Sequence, residues 1–219
     1  MEAEEHFLKY VMFDFDGTLA DSSGVFMNAW NTYADQYDYD PVVREDLVLT
    51  RNLTLQQRAK QFRFPMHKLP LILPKIYRYF KENVNEVKLF DGIKEMLDAL
   101  SEMGYEITIL SSNAKENIEL LLQQEQIDTV SQVLTSSKLF GKDTVIKKFL
   151  KQRQLSAEQL LYVGDEVRDI IACNKVNVPF MWVSWGLDGY EMIEKEKPKY
   201  VVHSPKELLY TLGESAKQV

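Results

Sequence analysis

An α/β architecture is expected for this chain: a Rossmann-like parallel sheet sandwiched by helices, with an all-helical cap domain inserted after the first strand. Short apolar runs rich in β-branched and aromatic residues recur along the sequence, each brief enough to be a buried strand. From about residue 90 onward these runs alternate with segments of helical period, the pattern of parallel strands joined by crossover helices. The first run stands roughly seventy residues ahead of that series, too far for a plain connection, so the interval must hold structure of its own.

The strands expected are residues 10–13, 105–110, 160–163, 180–183 and 200–202, with 130–134 a weaker sixth. In DGIKEMLDALSEMG the apolar residues Ile93, Met96, Leu97, Leu100 and Met103 keep a helical period, and Gly104 suits the stop. Ile118, Leu121 and Leu122 mark a second helix, and Val145, Ile146, Phe149 and Leu150 a third. Ser156 with Gln159, and Ser204-Pro205 with Glu207, read as capping boxes. Between the first strand and the series, residues 22–39, 43–62 and 68–80 read as helical and rich in aromatics. The division expected is residues 1–19 and 87–219 as the α/β core, and 20–86 as the cap.

Composition narrows the function. With 219 residues, 45% hydrophobic and 27% charged, the chain can bury a sizeable core. A net charge of -7, with lysines and arginines scattered, argues against nucleic acid as a partner. The single cysteine, Cys173, excludes an internal disulfide and suits the reducing cytosol. MEAEEHF lacks the basic-then-apolar pattern of a signal peptide, and no apolar run approaches the roughly 20 residues that span a bilayer. A cytoplasmic protein with no membrane partner is expected.

The chemistry is announced by VMFDFDGTLADS, where an apolar run ends in two acids, Asp14 and Asp16. Ligands of open parallel sheets bind beyond the carboxyl ends of the strands. Residues i and i+2 share a direction along a strand, so both acids can face one point. Two ionised carboxylates so close repel unless a cation lies between them, and hard oxygen ligands suit Mg²⁺, which commonly binds phosphate as well. An acidic turn alone is the plain alternative.

Three later segments add to this. Ser111-Ser112-Asn113 ends the strand at 105–110 just before a helix, a place for anion binding or for an ordinary cap. Lys142 falls at a helix start, where a cation is unfavourable unless it reaches toward negative charge. GDEVRD sets Asp165 directly after a strand, with Glu166 following and Asp169 one helical turn on.

Together these segments resemble the haloacid dehalogenase superfamily. DFDGTL is similar to its first motif, Ser111 to its hydroxyl motif, Lys142 to its lysine motif and GDEVRD to its acidic fourth motif. The long helical stretch resembles the cap of phosphoglycolate phosphatase-like members. The resemblance implies an aspartyl-phosphate mechanism with Asp14 as nucleophile and Asp16 as general acid and base. It implies Mg²⁺ held by Asp14, the Asp16 backbone carbonyl and Asp165, with Asp169 or Glu166 in support. It places the phosphoryl group among Gly17, Thr18, Ser111, Ser112, Asn113 and Lys142, and implies a small phosphorylated substrate, phosphoglycolate-like, with pyrophosphate or a sugar phosphate as alternatives. Two departures are visible: Ser-Ser-Asn leaves the second contact open between Ser112 and Asn113, and Asp143 follows Lys142 where many relatives have proline, so Lys138 is a second candidate lysine.

Competing chemistries fit less well. A dehalogenase needs neither Mg²⁺ nor the second aspartate; a phosphomutase keeps the same core. A phospho-receiver module carries its acceptor aspartate alone on a central strand, and a silent binding protein has no need of the acids. A cysteine phosphatase needs arginine six residues after its cysteine, where Pro179 stands after Cys173. His6, His67 and His203 are too few and scattered for a binuclear centre. Arg44, Arg51, Arg58 and Arg63 of the cap could hold a carboxylate or second phosphate or simply be solvated, and Trp30, Tyr33, Tyr37, Phe62 and Tyr77 are expected chiefly in its core, with the cleft as the alternative for some of them.

Overall fold

The computed structural model describes residues 8–136 and 141–217, with side chains to residue 214. His6 and Lys138 lie outside the described residues. The chain runs through β1 (Tyr10–Phe13) and β2 (Ala20–Asp21) into α1 (Ser23–Tyr37), α2 (Arg44–Leu49), α3 (Leu55–Gln61) and α4 (Leu69–Glu82). It returns through β3 (Lys88–Leu89) to α5 (Ile93–Glu102), β4 (Glu106–Ser111), α6 (Lys115–Gln124) and β5 (Val130–Thr135). It ends with α7 (Lys142–Arg153), β6 (Leu160–Gly164), α8 (Val167–Asn174), β7 (Phe180–Val183), α9 (Tyr190–Ile193), β8 (Tyr200–Val202) and α10 (Pro205–Lys217).

Six strands form one parallel sheet in the order β5-β4-β1-β6-β7-β8. β1 is central and buried on both faces. Its alternate residues divide the layers as a period of two requires. Val11 and Phe13 pack with Met96, Leu97 and Leu100 of α5, Ile118 of α6 and Leu212 of α10. Tyr10 and Met12 pack on the opposite face with Ile146 and Phe149 of α7 and Ile170 and Cys173 of α8. The lone cysteine is thus a buried apolar filler.

The helices between β2 and β3 keep a core of their own, built from Ala29, Ala34, Tyr39, Ala59, Phe64, Ile72 and Ile76. Trp30, Tyr39 and Phe64 cluster there in tilted and edge-on contacts, with centroids 4.5–5.1 Å apart. A two-strand antiparallel ribbon, Ala20 with Leu89 and Asp21 with Lys88, ties together the two passages between sheet and helices.

One local reading needs correction. Residues 43–62 are not one helical run but α2 and α3, separated by a turn. The cause is a capping box: Thr54 Oγ1 accepts from Gln57 N at 3.2 Å, and Gln57 Oε1 accepts from Thr54 N at 2.8 Å. Ser156 with Gln159 opens only a short 3₁₀ turn leading into β6, with Gln159 Oε1 accepting from Ser156 N at 3.0 Å. Ser204 does start a helix, α10, by accepting from Glu207 N at 3.2 Å.

Candidate active site

The strand order turns back at β1, the first half of the chain running out to β5 and the second half returning through β6 to β8. That switch point opens a crevice at the carboxyl ends of β4, β1 and β6. Asp14 follows β1, with its N–H donated to Val163 O at 2.8 Å, and Asp165 follows β6. Asp169, in the first turn of α8, joins them; one carboxylate oxygen from each lies within 4.8 Å of the others. Lys142, the first residue of α7, places Nζ 2.9 Å from Asp14 Oδ2 and 2.7 Å from Asp169 Oδ1. All four side chains are buried.

Small residues make this crowding feasible. A side chain on Gly17 or on Gly186 would overlap the Asp165 carboxylate, and Gly17 also holds φ at 79°. Between these two backbones Asp165 is fixed by Thr18 Oγ1, donating at 2.8 Å, and by Leu187 N at 2.7 Å. The loops that carry those groups are pinned by indoles: Trp182 Nε1 donates to Asp165 O at 3.1 Å and Trp185 Nε1 to Thr18 O at 3.0 Å.

Asp16 takes a different direction. Its carboxylate accepts from Asn113 Nδ2 at 3.1 and 3.2 Å and from Ser111 Oγ at 3.4 Å. Ser111 Oγ in turn accepts from Asn113 N at 3.0 Å. Ser112 faces away to Arg168, whose Nη1 donates to its Oγ at 3.1 Å. Arg168 is held by a two-pronged pair with Glu166 at 2.5 and 2.7 Å.

The two neighbouring acids are driven apart electrostatically. Burial pushes Asp14 up, but the Lys142 ammonium and the Arg168 guanidinium together outweigh it and hold the carboxyl below its ordinary range. Burial and the charge of Asp14 push Asp16 up to about 6. Burial, then the charges of Glu166 and Asp14, lift Asp165 well above the usual carboxylate range; burial and Asp14 do the same to Asp169 against the pull of Lys142. Burial disfavours the charged Lys142, yet Asp14 and Asp169 more than restore it, and its pKa is raised. The site therefore offers one ionised carboxylate beside a cation, and a second carboxyl able to carry a proton near neutrality.

Among the sequence candidates, Asp14, Asp165, Asp169 and Lys142 converge on one point, and Asp16, Ser111 and Asn113 form a second group beside it. Asn113, not Ser112, meets Asp16; Glu166 turns to Arg168 and leaves the acidic cluster to Asp169. The N–H of Gly17 is donated to Ala20 O at 2.9 Å, and the Thr18 hydroxyl goes to Asp165. Three of the four arginines singled out in the helical segment are engaged with other parts of the protein. Arg63 pairs with Asp40; Arg51 Nη2 donates to Ser184 O at 2.7 Å and Gly186 O at 3.0 Å; Arg58 Nη2 pairs with Asp188 at 2.5 Å. Arg51 and Arg58 thus clamp the helices onto the loop after β7.

Three residues were not singled out for the site by sequence reasoning. Arg168 sits inside the acidic motif, but its contact with Ser112 spans 56 positions. Tyr162 accepts a hydrogen bond from Lys142 Nζ at 2.9 Å, reached from α7 on the same face of the sheet. Tyr77 on α4 feels the charges of the site: burial pushes its phenol up to about 12, with Arg168 opposing and Asp16, Glu166 and Asp14 adding. No local pattern marks any of them.

Comparison with known proteins follows this geometry. The sequence profile of haloacid dehalogenase-like hydrolases matches residues 11–183. The chain is 25% identical over 212 residues to a phosphoglycolate phosphatase of Synechococcus elongatus, covering 96% of this chain and all of that one. It is 24% identical to pyrophosphatase PpaX of Bacillus mycoides, over 93% of this chain and 96% of the relative. A haloacid dehalogenase-like hydrolase of Streptococcus pneumoniae has the same fold, with a TM-score of 0.77 at 22% identity over 93% of this chain and 98% of that one. Since the profile runs from β1 to β7 and so takes in every acid, hydroxyl and lysine gathered at the crevice, the chain belongs to the haloacid dehalogenase-like hydrolase family.

Proposed function

We propose that this protein is a Mg²⁺-dependent phosphatase acting on a small phosphorylated metabolite through an aspartyl-phosphate on Asp14. The observation that carries this reading is the split between Asp14, ionised beside Lys142, and Asp16, raised to about 6 two residues away. Paired acids of divergent affinity for protons are the arrangement that nucleophile and proton donor require.

In the first half-reaction an Asp14 oxygen forms a bond to phosphorus as the bond from phosphorus to the leaving oxygen breaks, and Asp16 gives that oxygen its proton. In the second, a water oxygen attacks phosphorus, its proton passes to Asp16, and the bond to Asp14 breaks to release phosphate. Lys142 and Ser111 stabilise the equatorial oxygens, and Arg168 adds positive potential nearby. Asn113 orients Asp16 through its amide.

A divalent cation fits the site. Asp169 Oδ2 is buried and without a hydrogen-bond partner among the described residues, and three buried carboxylates face a single lysine. Asp14, Asp165 and the Asp16 backbone carbonyl would hold Mg²⁺, supported by Asp169. Bound there, it supplies the charge that lets an anionic aspartate meet an anionic phosphate.

In this reading the helices 20–86 act as the cap and favour a small substrate. The Synechococcus relative supports a phosphoglycolate-like ester; the PpaX relative supports pyrophosphate as the second reading. Phosphate release from a panel containing phosphoglycolate, pyrophosphate, sugar phosphates and an aryl phosphate tests this. Turnover that requires Mg²⁺, vanishes in EDTA and is abolished in Asp14→Asn is expected. Full activity in EDTA, or in Asp14→Asn, overturns the mechanism.

A further inference from the structure

We propose that Tyr162 is the positioning residue of the active-site lysine, its phenolic oxygen holding the Lys142 ammonium in line with Asp14 and Asp169. Tyr162 lies in the middle of β6 and is fully buried, in a layer otherwise made of Ile146, Phe149, Ile170 and Cys173. A phenylalanine would fill that apolar layer equally well, and a buried hydroxyl without partners is costly. The hydroxyl has two. It donates to Leu110 O at 3.0 Å, which leaves its lone pair turned to Lys142 Nζ at 2.9 Å.

An ammonium carries three protons, and Lys142 has three partners: Asp14, Asp169 and Tyr162. Two of them are acids. Asp14 takes the phosphoryl group and Asp169 would support the metal, so the neutral partner is the one engaged in neither and can keep its place while Asp14 changes from carboxylate to acyl phosphate. The ring is itself immobile: it stacks on Phe180 at 6.0 Å with a 17° interplanar angle, and a Cβ on Gly164 would press against its edge. Leu110 directly precedes Ser111, so one phenol ties the lysine to the strand that presents the hydroxyl. The catalytic consequence rests on the phosphatase reading above; the hydrogen bond itself does not.

Tyr162→Phe removes one oxygen. Steady-state hydrolysis of an aryl phosphate with saturating Mg²⁺ should show kcat lowered about tenfold with KM within about twofold, while the melting temperature moves by only a few degrees. In protein labelled with ¹⁵N-lysine, Lys142 should give a slowly exchanging ammonium resonance, assigned by its loss in Lys142→Met and broadened by solvent exchange in Tyr162→Phe. In the wild-type protein that ammonium should show a nuclear Overhauser effect to the Tyr162 hydroxyl proton, a readout that does not depend on any variant folding. Absence of that effect, or an ammonium resonance unchanged in Tyr162→Phe, overturns the assignment. An active enzyme whose Tyr162→Phe variant keeps its kcat overturns the positioning role. An inactive wild type with the predicted resonances intact would instead overturn the phosphatase reading alone.

Discussion

Two of the ion-pair groups near the crevice, a part-buried clamp and a buried centre, are built to opposite rules. At the clamp, Arg58 faces Asp188 at 2.5 Å and spends its remaining donors on Thr50 O at 3.0 Å and Arg51 O at 3.2 Å. Asp188 uses its second oxygen to accept Val167 N at 2.8 Å, at the start of α8. One acid meets one base, and each also hydrogen-bonds to backbone groups. At the centre, one lysine meets two acids with a third close by, and Asp169 Oδ2 has no hydrogen-bond partner among the described residues. Balanced groups hold the molecule together, whereas a surplus of buried carboxyl groups over cations, two of them lifted well above the usual carboxylate range, marks a candidate functional site.

Removing the lysine should break this contrast most severely. Lys142→Ala strips the counter-charge from Asp14 and Asp169, and an uncompensated buried charge costs about 3–5 kcal/mol. Urea denaturation in EDTA should show a loss of that order, and kcat should fall by about 10³ or more. A loss of activity with unchanged stability would mean that the acids protonate in compensation, and that the cluster is less strained than its geometry implies.

Next in size is the glycine that admits Asp165. Gly186→Ala puts a methyl group where the Asp165 side chain lies, so the carboxylate must move away from Thr18 and Leu187. Mg²⁺ affinity, measured by calorimetry, should weaken about 10–100-fold, the usual scale when support around a metal ligand is disturbed. Unaltered affinity would remove Asp165 from the proposed metal set.

The clamp should respond more mildly. Arg58→Ala leaves Asp188 with the Val167 amide alone, in a partly exposed setting, and should cost about 1–3 kcal/mol. Adding Asp188→Asn should recover part of this loss, because the stranded charge is removed. A larger penalty in the double variant would show that Asp188 matters chiefly to α8 and not to the clamp.

Much of this contrast was legible in the sequence, but unevenly. The strands show because each is a short apolar run, and 10–13, 180–183 and 200–202 begin and end where the sequence places them. The acids show because DFDGT and GDEVRD sit at strand ends, where local order alone fixes their direction. Lys142 shows because a cation at a helix start needs a reason. The break between α2 and α3 was also written in Thr54 and Gln57, but helical periodicity over 43–62 masked it. What the sequence does not display is whatever depends on distant partners. Arg51 and Arg58 look like solvated cap residues until the loop at 184–189 is brought beside them, about 130 positions away. Tyr162 looks like one more aromatic in a strand until Lys142 arrives from α7.

The finest test concerns Asp16, whose carboxyl the fold holds at about 6 against an ordinary 3.8. A raised acid binds its proton more tightly in the folded chain, so its contribution favours folding below about pH 4 and is lost as pH climbs through about 6. At pH 7–8 the ionised Asp16 therefore works against stability, beside the ionised Asp14. Asp16→Asn keeps an oxygen for Asn113 and Ser111 while removing the charge, and in EDTA it should stabilise the protein by about 1–2 kcal/mol at pH 8, discounted for its partial exposure to the cleft. The gain should shrink to nothing near pH 4, and the variant should lose most of its phosphatase activity at every pH. A stabilisation that persists unchanged at pH 4 would point to repacking and not to charge, and Asp16 would then lose its place as the proton carrier of the pair.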